Sequence, residues 1–233
     1  MKFDLQKIIN EQQLFEEAIH LNHSMIIDSI SDSECPYTGQ LLFNILKKVN
    51  SIKLGMIQVL DIENLYPSFI MYRALIEHYF TFIYGIVRNV MDRNDSVGIE
   101  YYKDYWLAEF LTVELQNLTI NEILDGTQIE NKFEKVKDKH SDLKIPSNYD
   151  RAKCNSDKSK CAFKKILRFC FENKEKISFG VEGLHELHLK FIIDFNKYST
   201  FVHAAPVADT ITSTIEGDVR NSFEFNRMFM MSF

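Results

Sequence analysis

Arg73 and Glu77 stand four residues apart inside the most apolar stretch of the chain, LYPSFIMYRALIEHYFTFIYGIV, residues 65–87. Positions i and i+4 lie about 40° apart around a helix, so the guanidinium and the carboxylate can meet on one face. Burying both among apolar neighbours is costly unless they pair and their remaining donors and acceptors find partners. Two readings stay open at this point. One is a structural ion pair that fixes how the helix docks. The other is half of a polar site completed from elsewhere, because charges in apolar surroundings gather at functional sites without being confined to them.

The second chemically suggestive segment is NKYSTFVHAAP, residues 196–206. Asn196, Ser199 and His203 fall within about 60° of one another on a helical wheel, while Tyr198 and Lys197 point elsewhere. A His near a helix end is commonly a cap or a satisfied core residue. Here a hydroxyl and an amide share its face, and an Arg–Glu pair on another long helix needs partners. That company favours a site.

Other arrangements weigh less. Glu17 with His20 and Glu182 with His185 each set a carboxylate and an imidazole one turn apart, as in di-iron bundles. With seven His in the chain, such words arise by accident. His185 and His188 in HELH could share a metal, but two solvated imidazoles on one face are commoner, and the spacing is not H-E-x-x-H. Tyr101, Tyr102, Tyr105 and Trp106 could stack on bases or line a small-molecule pocket, and also form an ordinary core stripe. Phosphate-loop, dinucleotide-fold and nucleophile-elbow words are absent. Cys35, Cys154, Cys161 and Cys170 match no zinc spacing and read as free thiols of a reducing cytoplasm. We expect neither a cofactor nor a metal ion.

Helices must position these residues, for the periodicity is helical almost throughout. Nineteen Phe and ten Tyr against eight Gly and four Pro favour long helices with few tight turns. An amphipathic helix is predicted over about Asp4 to Ile30, a second over Leu41 to Leu60, and the apolar one from Leu65. DRNDSVG, 92–98, reads as a loop, followed by a helix over Ile99 to Leu118. Thr119 with Glu122 looks like a capping box that opens another. Residues 132–160 turn polar and read as a flexible insertion carrying the one basic patch. Helices over about Cys161 to Asn173 and Val181 to Val202 follow. The tail, with Phe223, Phe225, Phe229, Met230, Met231 and Phe233, would be an association surface if exposed, which suggests a homodimer or a partner contact.

Composition bounds the rest. The 233 residues, 45% hydrophobic, suffice for a single all-α domain, a helical bundle around the helices of about 65–91 and 181–203. A net charge of -6 gives no global attraction to nucleic acid or anionic lipid. The amphipathic N-terminus has no secretory pattern. Arg73, Glu77 and His78 at the centre of the apolar stretch make lipid exposure costly, so no membrane association is expected.

The order of R-x-x-x-E amid apolars (Arg73, Glu77), then paired tyrosines (Tyr101, Tyr102), then Y-S-x-x-x-H (Tyr198, Ser199, His203) resembles a bacterial family of all-helical proteins, a domain of unknown function. The likeness spans about Leu41 to Pro206 and implies no settled activity. More loosely, the chain is similar to the HEPN superfamily, helical proteins that include metal-independent ribonucleases of toxin–antitoxin and phage-defence systems. Those carry R-x(4–6)-H on a late helix and place two copies at a dimer interface. The window before His203 offers Lys197 and Asn196 but no Arg, so Arg73 would have to supply the cation from another helix. That resemblance implies RNA as substrate, cleavage through its 2′-hydroxyl, His203 handling protons and Arg73 stabilising phosphorane charge. Glu77, Ser199 and Tyr198 complete the candidate centre. A protein partner from the same operon is implied as well. The same likeness is equally that of an accessory component of such a system, and the alternative is a non-enzymatic interaction or ligand-sensing module in which the same residues form a buried network.

Overall fold

A computed structural model describes residues 5–61 and 65–202. His203 and the Phe- and Met-rich tail lie outside the described residues. Among those described the chain is helical, with no strand, as expected of an all-α bundle. No helix among them is long and apolar enough to cross a membrane.

The first amphipathic stretch divides into α1 (Leu5–Leu21) and α2 (His23–Ser31). Asn22 causes the break: its side-chain amide donates to the Ala18 carbonyl at 2.7 Å, a local bond that competes with helix continuation. Helix α3 (Pro36–Asp61) starts five residues earlier than the periodicity suggested. Pro36 suits a first turn, where its missing N–H costs nothing. The free amides of Tyr37 and Thr38 are taken by the carboxylate of Asp95, at 2.9 and 2.7 Å. A carboxylate at a helix N-terminus also meets the positive end of the dipole.

Helix α4 (Leu65–Asp92) is the axis of the molecule. Phe69, Tyr72, Ile76 and Phe80 are fully buried on it, against Met56 and Ile57 of α3. Phe191 and Tyr198 of α11 (Leu184–Val202) and Ile166 and Cys170 of α9 (Phe163–Glu172) close the same core. Each large side chain so buried contributes about 1.5–3 kcal/mol. A short helix, α10 (Lys174–Ile177), bridges α9 and α11 and adds Ile177.

The stretch expected as a loop at 92–98 is half helical, because α5 begins at Ser96 and ends at Ile99. Gly98 lets α5 press on the start of α3: a Cβ there would lie 2.2 Å from the Thr38 nitrogen. A π-helical turn, Glu100–Tyr105, then leads into α6 (Trp106–Asp125). Thr119 opens no helix; it sits inside α6, its hydroxyl donating to the Leu115 carbonyl at 3.0 Å. Glu122 instead binds Lys132 and the Ile129 amide. Left-handed Gly126 ends α6, a conformation that costs glycine nothing.

The polar segment 132–160 forms α7 (Lys132–Lys139) and α8 (Arg151–Lys160). Few as its apolar residues are, Val136, Tyr149 and Cys154 are buried with Ala108 and Leu111 of α6 in a second, smaller core.

Candidate functional site

Helices α4 and α11 bring the two sequence clusters together. Arg73 Nη1 donates to Glu77 Oε2 at 2.8 Å, and Arg73 Nε donates to Ser199 Oγ at 3.4 Å. The Ser199 hydroxyl donates in turn to the Phe195 carbonyl at 2.6 Å, one turn back along α11. The Phe195 ring lies 4.6 Å from Arg73 Cζ, a cation–π contact that fixes the plane of the guanidinium. Among the described residues, Nη2 of Arg73 has no acceptor.

The pair is less buried than its apolar context suggests. The side chains of Arg73 and Glu77 keep 23% and 37% of their accessible surface. Arg73 faces α11, while Glu77 is near enough to the π-helical turn to act on the phenols of Tyr101 and Tyr105. Burial raises the pKa of both phenols, that of Tyr105 to about 12; Cys161 comes next for Tyr101 and Glu109 for Tyr105, with Glu77 the smallest contribution to each. Both therefore stay protonated and can donate at neutral pH.

Tyr198 belongs to the core rather than to this cluster. It is wholly buried, stacked on Phe69 at 4.9 Å and edge-on to Tyr72 at 5.7 Å. Its neighbour Tyr72 donates to the buried carboxylate of Asp194 at 3.3 Å. His203, four residues after Ser199, lies outside the described residues. Of the five candidate residues, Arg73, Glu77 and Ser199 form one connected group.

The π-helical turn widens the helix by one residue, a distortion often found at functional sites. It spreads Tyr101, Tyr102 and Tyr105 toward α3, where the Asn44 amide donates to the Tyr102 hydroxyl at 2.7 Å. Tyr101 lies edge-on to Tyr102 at 5.6 Å and tilted against Tyr105 at 5.4 Å. Between this turn and α3 opens a cleft of about 360 Å³, with Trp106 at its mouth.

One feature of α11 escapes the sequence reading. His188 is buried, not solvated, with Nε2 2.7 Å from the Tyr79 hydroxyl of α4. Its spacing from Phe191, Phe195 and Tyr198 (three, four, three) was the signal, for it places the imidazole on the core stripe. Burial, then the nearby His185, lowers its pKa. Among the described residues no three of His, Cys, Asp and Glu gather where they could hold a metal ion, so the Glu-x-x-His words share no centre. No family model, curated protein or solved structure matches the chain.

Proposed function

We propose that this protein is a metal-independent, HEPN-like ribonuclease of a bacterial toxin–antitoxin or phage-defence system. The observation that supports it is the bond from Arg73 on α4 to Ser199 on α11. It sets a braced, partly solvent-facing cation beside the helix whose sequence leads on to His203. In this reading His203 takes the proton from a ribose 2′-hydroxyl and the 2′-oxygen attacks phosphorus. The P–O5′ bond breaks and the departing oxygen collects a proton from water. The products are a 2′,3′-cyclic phosphate and a 5′-hydroxyl. Nη2 of Arg73 is the donor left over for the phosphorane, where a preorganised cation is worth most. Glu77 and Ser199 are positioning residues that hold the guanidinium. A homodimer, an operon-encoded protein partner and a cytoplasmic setting belong to the same reading.

A second reading has an observation of its own. The described contacts of Arg73 all join α4 to itself or to α11. That is what a structural brace in a non-enzymatic helical module would look like.

RNA cleavage by the purified protein separates the two, run with and without EDTA beside His203→Ala and Arg73→Ala. EDTA-resistant cleavage that leaves cyclic phosphate ends and disappears in both variants, with melting temperatures within a few degrees of wild type, supports the ribonuclease. Absence of cleavage by a correctly folded wild-type protein rejects it in favour of the module.

A further inference from the structure

The cleft between α3 and the π-helical turn has the make-up of a nucleotide site. One wall is aromatic, Tyr101, Tyr102 and Tyr105 with Trp106 beside them 48% exposed, and the buried Leu41 and Ile45 of α3 line it from the other side. The indole is stacked on Phe110 at 5.5 Å with an interplanar angle of 14°, so its ring is held flat by a neighbour. A flat ring ligand gains by stacking on such a surface, roughly 1–3 kcal/mol per base.

The opposite rim, on α3, carries Lys47 and Lys48, both exposed. Among the described residues neither has a carboxylate within ion-pairing distance; Lys47 leans over the Phe43 ring at 5.7 Å and also lines the neighbouring groove that holds Glu16 and Glu17, so Lys48 is the charge that belongs to this cleft alone. The acidic group on the cleft, Glu109, is already bound by Lys158 at 3.1 Å. The rim is therefore locally positive on a chain whose net charge is -6, and in water such a patch attracts a phosphate at short range. Asn44, whose amide donates to Tyr102 across the cleft and whose carbonyl accepts from Gln40 at 3.1 Å, keeps one N–H and one lone pair that can meet a base edge. A volume of about 360 Å³ falls within the range of small-molecule sites.

We infer that this cleft binds a nucleotide, its base on the Tyr105–Trp106 surface and its phosphate at Lys47 and Lys48. The inference goes beyond the reaction proposed above and does not depend on it, because binding is read without turnover.

The chain supplies its own reporter, since Trp106 is its one tryptophan. Fluorescence excited at the indole edge would be followed while adenosine monophosphate, adenosine, or a hexamer of adenylate is added to the full-length protein. The same titrations would be run on Lys47→Glu/Lys48→Glu, whose two positions are exposed and leave the core untouched. A saturable change with the monophosphate, at least tenfold weaker in the double variant and weaker for adenosine than for the monophosphate, is the expected result. Tighter binding of the hexamer by tenfold or more would identify an RNA strand as the source of the nucleotide; equal or tighter binding of the monophosphate would identify a free nucleotide. No saturable change with either phosphate ligand at millimolar concentration, or identical curves for wild type and double variant, would overturn the inference. Failure of the ribonuclease assay alone would leave this site standing.

Discussion

His188 Nε2 and the Tyr79 hydroxyl lie 2.7 Å apart inside the core, joining α11 to α4 where both helices are otherwise apolar. The imidazole is 3% exposed. Burial, then His185, lowers its pKa from an ordinary 6.5, so the unfolded chain binds a proton more readily than the folded one. Stability is then complete above about pH 6.5 and falls as the pH drops below it toward the folded-state value. His78 shifts in the same direction, through burial and then Lys48. Thermal melts between pH 5 and pH 8 should show the loss in wild type, and His188→Gln should reduce it without abolishing it. His188→Ala leaves the Tyr79 hydroxyl unpaired beside a cavity and should cost roughly 2–4 kcal/mol at neutral pH. An unchanged pH profile in His188→Gln would remove His188 from this account.

Gly98 admits no side chain. A Cβ would meet the Thr38 backbone at 2.2 Å, and backbone on both sides leaves nothing flexible to yield. The same junction carries three hydrogen bonds from Tyr37 and Thr38 to Asp95. Gly98→Ala should therefore separate α5 from α3 and yield little folded protein, a loss seen as a collapsed melting transition. Asp95→Asn keeps the shape but weakens the cap and its charge, for about 1–2 kcal/mol. In a chain of this size each kcal/mol is worth about 2–4 °C of melting temperature. If Gly98→Ala melts like wild type, the close approach is wrong.

Asp157 holds α8 in place. Its carboxylate is buried, and one oxygen takes the ammonium groups of Lys153 and Lys160 at 3.0 and 2.9 Å. Lys160 also reaches Asp104 on the π-helical turn at 2.6 Å. Burial pushes the Asp157 carboxyl up, but the lysine hydrogen bonds outweigh it and hold it below its ordinary 3.8. A lowered carboxyl contributes stability above about pH 4 that disappears as the pH falls through the folded-state value. Asp157→Asn should cost about 1–3 kcal/mol at pH 7, since the lysines left behind are still partly solvated. The difference from wild type should shrink at pH 3. Equal melting of the two proteins at pH 7 would show that the ion-paired carboxylate does not hold α8.

Much of this architecture is legible in the sequence, and what is not has specific causes. The apolar run around Arg73 announces α4, and four-residue spacing alone predicts its bond to Glu77. That Ser199 supplies the third partner spans 126 positions, beyond any local signal. The start of α3 is hidden for the same reason, because its cap comes from Asp95, 58 positions away from Tyr37. Thr119 and Glu122 fit a capping word, yet the helix runs through them, with the hydroxyl satisfied on the preceding turn and the carboxylate drawn to Lys132. The aromatic run from Tyr101 reads as a regular stripe; one extra residue per turn spreads it into the wall of a cleft.

Arg73 tests how far a charge among apolar residues signals function. Truncating it removes an i,i+4 ion pair worth about 0.3–0.5 kcal/mol, a hydrogen bond to Ser199 and a cation–π contact. No buried partner is left stranded, since Glu77 is 37% exposed and Ser199 keeps its bond to the Phe195 carbonyl. Arg73→Ala should therefore cost only about 1–2 kcal/mol, a drop of a few degrees, and Ser199→Ala less. A brace that mattered chiefly for docking α11 on α4 would lose several times that. Melting Arg73→Ala, Ser199→Ala and the double variant gives the coupling as well. A sum exceeding the double by about 0.5 kcal/mol or more would confirm that the two side chains act on each other. Arg73→Lys should recover most of the stability but not the fork geometry by which an arginine holds a phosphate. Any activity assigned to the site should then stay low in Arg73→Lys while the melting temperature returns.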